Sequence, residues 1–412
     1  MQKNTKKWLG VAVAAALMVG FAPVANSAST SINYWYWKES PDTTIVKELA
    51  AKFEAKTGIH VNINEDVTSN NFMTNLTNAI AAGNGPDAVE LNTARIPALM
   101  AANALAPLNS YVKSWAGASD VTPSLWKWVK SSNGKTTYAL PWKYLMFIML
   151  YNKARFADAG VDVPTTQKQF LAIQPKLFNP AKSLYAFNVR GANGSDQWAS
   201  FMVAGGAKFT TINGSISLDS TLTRDSNKIY INSFKYGPPS AITSNSGTAL
   251  VNELEAGVTA MVINHIGGAR ALKDPSKIGF APIPSRKGGD DRTTYMGTMN
   301  MNSVLAASKQ KDAAFKWIAY LAENEAQLAL AKSKEGFLPV TNGVATDPYF
   351  KNDAAFQLSL QLAQHPTLAW PLIPGTSIVQ NTDWPVAMAS ALLGKSTSDD
   401  MVQSISGSLS KK

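Results

Sequence analysis

The sequence contains no cysteine, only 3 histidines and few charged residues, since 16% of its 412 residues are Asp, Glu, Lys or Arg. Without cysteine the chain forms no disulfide, offers no thiolate for catalysis and carries no lipid on an N-terminal cysteine. His60, His265 and His365 stand too far apart in sequence for the ligand spacing of a metal motif. We therefore predict neither a metal nor a cofactor.

Enzyme motifs are missing as well. The sequence has no HExxH, P-loop or GxSxG pattern. One enzymatic alternative remains, because a glycosidase needs only two carboxylates across one bond. Glu39, Glu90 and Asp196 are the acids near element ends that could form such a pair. A secreted carbohydrate-active enzyme is thus kept as an alternative.

Long apolar runs are also missing after the N-terminus. There, Lys3, Lys6 and Lys7 precede an apolar block over residues 8–22, and small residues follow at 25–28. This pattern is typical of a secretory signal peptide, which we assign to residues 1–28. The block is shorter than the roughly 20 residues that a membrane span requires. We predict an exported protein without a membrane anchor.

The net charge is +10, and three of the positive charges belong to the N-terminal segment. The remaining lysines and arginines are scattered along the chain. A nucleic-acid-binding protein should carry a clustered basic stripe, so nucleic acid is not a predicted partner.

The 45% hydrophobic content and the alternation of predicted strands and helices indicate an α/β fold. The chain begins with a β-α-β unit, formed by a strand at 31–37, a helix at 42–58 and a strand at 59–63. The apolar run 144–151 predicts a strand buried on both faces, which carries the chain from one lobe to another. A long helix is predicted over 311–330.

The 11 tryptophans are the most informative feature, because an indole face matches the CH face of a pyranose ring. Those at strand ends or in loops are expected to face a ligand, and those at helical core spacing are expected to pack inside. The first group is Trp37, Trp142 and Trp370, and the second is Trp126, Trp317 and Trp384.

Polar residues at element ends complete a predicted carbohydrate site, because sugar hydroxyls must not be buried without hydrogen-bond partners. The candidates are Glu39, Asn71, Asn92, Asn193 and Ser195. His265 ends a strand that runs into a glycine-rich loop, and both a structural and a ligand-facing role stay open for it.

An ordered series of short motifs runs through nearly the whole chain after residue 28. It comprises Tyr34 to Trp37, FEAKTG at 53–58, GPDAV at 85–89, YALP at 138–141, YNK at 151–153, AGG at 204–206, GVTAM at 257–261, YMG at 295–297 and GFLP at 336–339. In this series the chain resembles the extracellular solute-binding protein family 1 of ABC importers, which includes maltose-binding-like proteins.

The resemblance implies two α/β lobes that close on a ligand in the cleft between them, joined by a hinge of several strands. The N-terminal lobe would comprise residues 29–140 and 285–332, and the C-terminal lobe 141–284 and 333–412. The ligand-facing positions implied by local match are Trp37 to Glu39, Asn92 and Thr93, Trp142 to Leu145 (which includes Tyr144), Asn193 to Ser195, His265 to Gly268 (which includes Gly267) and Tyr295 to Gly297. Thr376 to Gln380 is a looser match.

Two departures from maltose-type members argue against a maltodextrin ligand, namely Leu145 in place of an acid and Gly267 in place of a tryptophan. We predict a periplasmic, monomeric binding protein that delivers a mono- or oligosaccharide to a membrane permease and is no enzyme. The alternative is a receptor for a glycerol phosphate or another anionic or polyol ligand, with Lys143 and Arg190 as anion partners.

Overall fold

The computed structural model describes residues 30–36, 44–64, 71–212, 215–289, 292–333 and 336–410. The predicted signal peptide therefore lies outside the described residues. The strands are β1 (Ser31–Trp35), β2 (His60–Asn64), β3 (Ala88–Asn92), β4 (Leu140–Asn152), β5 (Tyr185–Phe187), β6 (Thr210–Ile212), β7 (Ser215–Ser217), β8 (Thr259–His265), β9 (Ile278–Ala281), β10 (Thr294–Val304), β11 (Leu338–Pro339) and β12 (Thr367–Leu368).

Helices alternate with these strands, and none of them in the described ranges has the length and apolar character needed to span a membrane. The α-helices are α1 (Thr44–Thr57), α2 (Phe72–Ala81), α3 (Ile96–Ala101), α4 (Asn109–Ser114), α5 (Lys153–Ala159), α6 (Gln167–Leu177), α7 (Ser195–Ala204), α8 (Thr221–Ser233), α9 (Gly247–Glu255), α10 (Ile266–Arg270), α11 (Lys311–Leu321), α12 (Asn324–Lys332), α13 (Asn342–Ala345), α14 (Ala354–Ala363), α15 (Thr376–Ile378), α16 (Trp384–Leu392) and α17 (Ser398–Ser410). Short 3₁₀ turns occur at Ala116–Ser119, Pro123–Val129, Pro180–Lys182, Phe234–Tyr236, Pro239–Ile242, Pro275–Lys277 and Pro348–Phe350, and a π-helical turn at Val379–Asp383.

One mixed sheet organises the chain, in the order β2-β1-β3-β10-β4-β8-β5, and β6 and β7 pair separately. Strand β1 pairs in parallel with β2 and β3, as the predicted β-α-β start requires. Strands β3, β10, β4 and β8 pair antiparallel in that order. The α/β prediction is confirmed. The predicted helix over 311–330 is instead two helices, α11 and α12, because the chain turns at residues 322–323.

Two hydrophobic cores lie at opposite ends of the sheet, and we call the surrounding regions the N-terminal and C-terminal lobes. The first core packs β1, α1 and α11 around Tyr34, Phe53 and the fully buried Trp317. The second packs α6, α7, β5 and α16 around Trp198 and the fully buried Trp384. The core assignment of Trp317 and Trp384 is therefore confirmed. Trp126 is partly buried against the first core.

Strand β4 runs from one core into the other. Leu140 and Trp142 contribute to the N-terminal core, whereas Phe147 and Met149 contribute to the C-terminal core. A third cluster, which includes residues of α14, contains Tyr144, Leu145, Met146, Ile148 and Leu150 of β4. Every residue of β4 is buried except Tyr151, which is half-buried. The prediction of a strand buried on both faces is confirmed.

The three strands β4, β10 and β11, which connect the lobes, meet beside Lys143 of β4. Asn300 of β10 lies opposite it in the antiparallel register, and Pro339 of β11 lies opposite it on the other side. The Lys143 ammonium is 3.5 Å from the Glu90 carboxylate of β3, and both side chains are fully buried. Asn300 Nδ2 donates to the same Glu90 oxygen at 2.6 Å. A buried charge needs such partners, so Lys143 links β3, β4 and β10 on the N-terminal side.

Aromatic rings enclose the rest of this ammonium group. Lys143 Nζ lies 4.4 Å from the ring centroid of Trp142, 4.3 Å from that of Phe337 and 5.4 Å from that of Tyr36. Cation–π attraction is strongest where water is excluded, as it is around this buried group. Trp142 is thus both a core side chain and part of the support for Lys143.

We expect Trp142→Ala to lower the free energy of unfolding by about 3–5 kcal/mol, because it leaves a cavity in a closed core. Urea unfolding followed by circular dichroism measures this loss. Val386→Ala is the control, since Val386 is 69% exposed. Substitutions at exposed positions usually change the free energy of unfolding by no more than about 0.5 kcal/mol. An unchanged urea midpoint for Trp142→Ala would contradict the packing described.

Candidate ligand-binding cleft

A cavity of about 820 Å³ lies between the two lobes. Its volume falls within the range of small-molecule sites. The N-terminal lobe contributes residues from α2 and the end of β3, β10 contributes one residue, and the C-terminal lobe contributes the start of α7 and the turns before α16. The described lining residues are Met73, Asn92, Ala94, Arg95, Ala192, Asn193, Ser195, Asp196, Thr298, Ser377, Ile378, Gln380, Asn381 and Thr382.

Asp196 is the most strongly held side chain of this cleft. Its Oδ1 accepts hydrogen bonds from Tyr295 Oη at 2.5 Å, Trp370 Nε1 at 3.1 Å and Gln380 Nε2 at 3.1 Å. Its Oδ2 accepts none from the residues that the structure describes. Asp196 lines the cavity, so one carboxylate oxygen orients the group and the other is available to a ligand.

The surroundings of Asp196 act on its ionisation in opposite directions. Burial raises the pKa of Asp196, whereas the three hydrogen bonds and the nearby Arg190 charge lower it, and burial is the largest effect. Arg190 Nη2 donates to the Asn245 carbonyl at 2.8 Å. Burial in turn lowers the pKa of Arg190. Arg190 is thus a nearby positive charge that favours the ionised form of Asp196.

The N-terminal lobe presents a cation and an amide to the same space. The Arg95 guanidinium carbon lies 5.3 Å from the Phe72 ring centroid, so the side chain is supported by α2. Asn92 Oδ1 accepts from the backbone N–H groups of Ala94 and Arg95, both at 3.1 Å. The amide Nδ2 of Asn92 is then the group left to donate to a ligand.

A π-helical turn at Val379–Asp383 forms one wall of the cleft. Within it, Gln380 holds Asp196, and Asn381 and Thr382 line the cavity. The buried Val379 anchors the turn in the C-terminal core. Wide turns of this kind are often found at functional sites. Here the turn places three successive polar side chains next to the carboxylate.

His265 lies behind the cleft, where β8 ends. Its Nδ1 accepts from the Gly267 N–H at 3.1 Å, and its ring packs edge-on against Phe147 with centroids 5.5 Å apart. Burial and the Arg190 charge lower the pKa of His265 to about 4. The imidazole is therefore neutral at neutral pH, with its proton on Nε2.

A family model described as bacterial extracellular solute-binding protein matches residues 37–328. The chain belongs to this family. The diacetylchitobiose binding protein DasA of Streptomyces coelicolor is 26% identical over an alignment of 412 positions. The alignment covers 93% of this solute-binding protein and 90% of DasA.

Solved structures share the fold. The sugar-binding protein MalE of Xanthomonas citri matches with a TM-score of 0.80 and 21% identity, over 93% of this chain and 97% of that chain. An ABC transporter solute-binding protein of Thermotoga lettingae, solved with α-D-tagatose, matches with a TM-score of 0.78 and 23% identity, over 93% and 99% of the two chains. The predicted two-lobed periplasmic binding protein fold is confirmed.

The predicted site residues fall into distinct places. Asn92, Asn193 and Ser195 line the cavity. Trp37 and Glu39 lie outside the described residues. Asn71 is exposed at the start of α2 and does not belong to the described cavity lining.

Two residues of β4 that were expected in the site lie in hydrophobic clusters instead. Trp142 is fully buried in the N-terminal core, and Tyr144 is 3% exposed in the cluster beneath α14. The alternation of β4 turns both side chains toward cores because cores cover both of its faces. Lys143 is likewise buried against Glu90, so the predicted anion-binding role for Lys143 does not fit its position.

Trp370 and Tyr295 support the site from behind, since both are only 3% exposed and both donate to Asp196. Trp370 also stacks on Trp198 with ring centroids 6.1 Å apart. Its indole face is therefore occupied by protein, and a sugar cannot stack on that face as we had expected. Its contribution to the cleft is the indole N–H, which donates a hydrogen bond to Asp196.

The remaining predicted positions are backbone sites next to the cleft. Thr93 is 8% exposed, and its N–H donates to the Met299 carbonyl at 3.1 Å. A Cβ at Gly268 would lie 2.6 Å from the Asn264 side chain, and one at Gly297 would lie 2.5 Å from the Phe147 ring. Gly267 contacts the backbone of Gly336. Packing therefore favours glycine at Gly268 and Gly297.

Several lining residues had not been proposed as ligand contacts. The sequence patterns predict Asp196 only as half of a catalytic pair, and they do not mark Arg95, Thr298, Asn381 or Thr382. The position of Asp196 at the start of α7, directly after the predicted Asn193 to Ser195 loop, was the usable signal. The others depend on the lobes coming together, and no local pattern marks them.

His265 should make folding less favourable in acid. Its pKa is 6.5 in the unfolded reference and about 4 in the folded protein. Below pH 6.5 the unfolded chain therefore binds a proton that the folded chain excludes, and stability is lost as the pH falls toward 4. We expect the melting temperature of wild type to fall more between pH 7 and pH 4.5 than that of His265→Gln. Equal falls in differential scanning calorimetry would contradict a half-buried His265 that stays neutral in the folded protein.

Proposed function

We propose that this solute-binding protein captures a neutral mono- or oligosaccharide between its lobes and delivers it to the membrane permease of an ABC importer. The observation that carries the proposal is the Asp196 carboxylate, which lines the cavity, is held through Oδ1 and has no hydrogen bond on Oδ2 from the described residues. A fixed carboxylate oxygen accepts strongly from hydroxyl groups. The relatives named above, which bind diacetylchitobiose and α-D-tagatose, support a carbohydrate ligand.

The other lining groups suit a ligand with many hydroxyl groups. Asn92 offers its amide Nδ2 as a donor and Asn381 its amide Oδ1 as an acceptor, and the hydroxyl groups of Ser195 and Thr298 can donate or accept. A sugar hydroxyl does both, so these groups complement it without requiring a charge on the ligand. The volume of about 820 Å³ leaves room for more than one sugar ring.

A phosphate ester is the weaker alternative. Arg95 in the cavity and Arg190 behind it would attract an anion. The ionised Asp196 carboxylate in the same cavity would repel an anion, however. Lys143, the second predicted anion partner, is enclosed in the N-terminal core.

Hydrolysis is disfavoured by the number of acids in the cleft. Among the described residues, Asp196 is the only acid that lines the cavity, whereas a glycosidase needs two. Glu90 is fully buried beside Lys143. We therefore propose binding without chemistry, in which a ligand that prefers the closed lobes shifts the population toward them.

Export follows from the same proposal. Residues 1–28 would direct the chain out of the cytoplasm and be removed, and the folded protein would act as a monomer in the periplasm. The permease would then bind the closed form. Mass spectrometry of protein purified from the periplasm would test this step by showing whether the mature chain begins after residue 28.

A ligand screen by thermal shift tests the main proposal, because a compound that binds only the folded state raises its melting temperature. We expect neutral saccharides such as N,N′-diacetylchitobiose or D-tagatose to raise it, and sn-glycerol 3-phosphate not to. Chromatography of the bound saccharide after prolonged incubation should recover it intact. A shift only with phosphate esters, or a hydrolysed saccharide, would contradict the proposal.

Asp196→Asn should weaken the affinity for the saccharide that the screen identifies by about 10- to 100-fold, as expected for losing a charged hydrogen bond. Isothermal titration calorimetry measures the change. Asp225→Asn is the control, because it replaces a carboxylate by an amide in the same way at an exposed position of α8. Equal affinities for both variants would remove Asp196 from the site.

A further inference from the structure

The two strands that connect the lobes are not evenly paired. Met296 lies opposite Met146, and Met299 lies opposite Tyr144, so three steps along β10 match two steps along β4. The extra residue of β10 falls at Gly297–Thr298, which is a β-bulge. Bulges bend a strand and weaken its ladder locally, and they are frequent beside functional sites.

The bulge lies where the two lobes separate. On its N-terminal side, Asn300 pairs with Lys143 and donates to Glu90, so this part of the ladder is held by the buried charge pair. On the other side, Phe147 of β4 already pairs with His265 of β8 in the C-terminal lobe. Gly297–Thr298 is therefore the segment between these two parts in which β10 carries the extra residue. A second register shift, in which β4 carries the extra residue, lies between Asn300 and Met301.

The same segment reaches the ligand cavity on one side and the Asp196 support on the other. Thr298 lines the cavity. Gly297 lies against the Phe147 ring, where a Cβ would be 2.5 Å from Cε2 and 3.0 Å from Cδ2. Phe147 packs on Tyr295 with centroids 6.1 Å apart, and Tyr295 donates to Asp196.

We propose that the Gly297–Thr298 bulge is the pivot of lobe closure and that a ligand acts on it directly through the Thr298 hydroxyl. This inference rests on the proposed carbohydrate-binding function. Bending at the bulge requires the β10 backbone to slide past the Phe147 ring, and only the absence of a side chain at Gly297 leaves room for that. A ligand bound to both Asp196 and Thr298 then spans the two sides of the pivot.

Gly297→Ala should restrict the pivot. We expect it to weaken binding of the saccharide identified by the screen by about 5- to 100-fold, the range for an overpacked contact. Phe147→Leu shortens the side chain that the new methyl group meets, so Gly297→Ala/Phe147→Leu should regain most of the affinity. Phe147→Leu alone is the control, and circular dichroism confirms that each variant is folded.

Lobe separation should be measured directly. Because the chain has no cysteine, spin labels can be attached to Ala51→Cys on α1 and Lys228→Cys on α8, which are exposed positions in the two lobes. Double electron–electron resonance gives the distance distribution with and without N,N′-diacetylchitobiose or D-tagatose, whichever raises the melting temperature in the screen. We expect Gly297→Ala to alter the distribution of the unliganded protein and to reduce the ligand-induced change.

Thr298 has a separate test. Thr298→Val keeps the shape and removes the hydroxyl, so it should weaken binding and reduce closure at saturating saccharide, whereas Thr298→Ser should behave as wild type. An unaltered distance distribution and affinity in Gly297→Ala would overturn the pivot, and full closure of Thr298→Val would overturn the ligand contact. Failure of wild type to bind any saccharide would instead refute the proposed function, and the unliganded distances would still test the pivot.

Discussion

Strand β4 has to be buried on both faces along almost its whole length, because it belongs to the cores of two lobes in turn. Its apolar sequence follows from this requirement. The requirement also explains why a lysine in the strand needs partners. Lys143 cannot reach water, so Glu90 and a set of aromatic rings stabilise its charge. The buried pair holds neighbouring strands together at the point where the lobes are connected.

The cleft follows a different principle from the cores. Its lining is polar, and its charges come from separate parts of the chain, with Arg95 in the N-terminal lobe and Asp196 in the C-terminal lobe. Asp196 is useful because its position is determined before a ligand arrives. Tyr295, Trp370 and Gln380 fix one oxygen, so little conformational entropy is lost when the other oxygen binds. Aromatic residues thus serve this site chiefly as supports.

Local patterns predicted most of the fold. The β-α-β start and the buried β4 were correct because apolar periodicity reports the cores directly. Helix α8, Thr221–Ser233, was not predicted, since its Thr, Ser and Asn residues obscure the pattern. The site was predicted less well. Asn92, Asn193 and Ser195 line the cavity, but Trp142 packs in a core and Trp370 stacks on Trp198. Composition alone does not distinguish an indole that faces a sugar from one that faces protein.

The sequence by itself determined the fold class, the order of strands and helices, and the resemblance to solute-binding proteins, because these depend on residue spacing along the chain. Tertiary structure decided which polar groups meet. Asp196 and its three donors are separated by 99, 184 and 174 residues in sequence, and Thr298, which lies in the bulge of β10, lines the same cavity. A ligand site between two lobes is assembled from distant segments, so its geometry exists only after the sheet has formed.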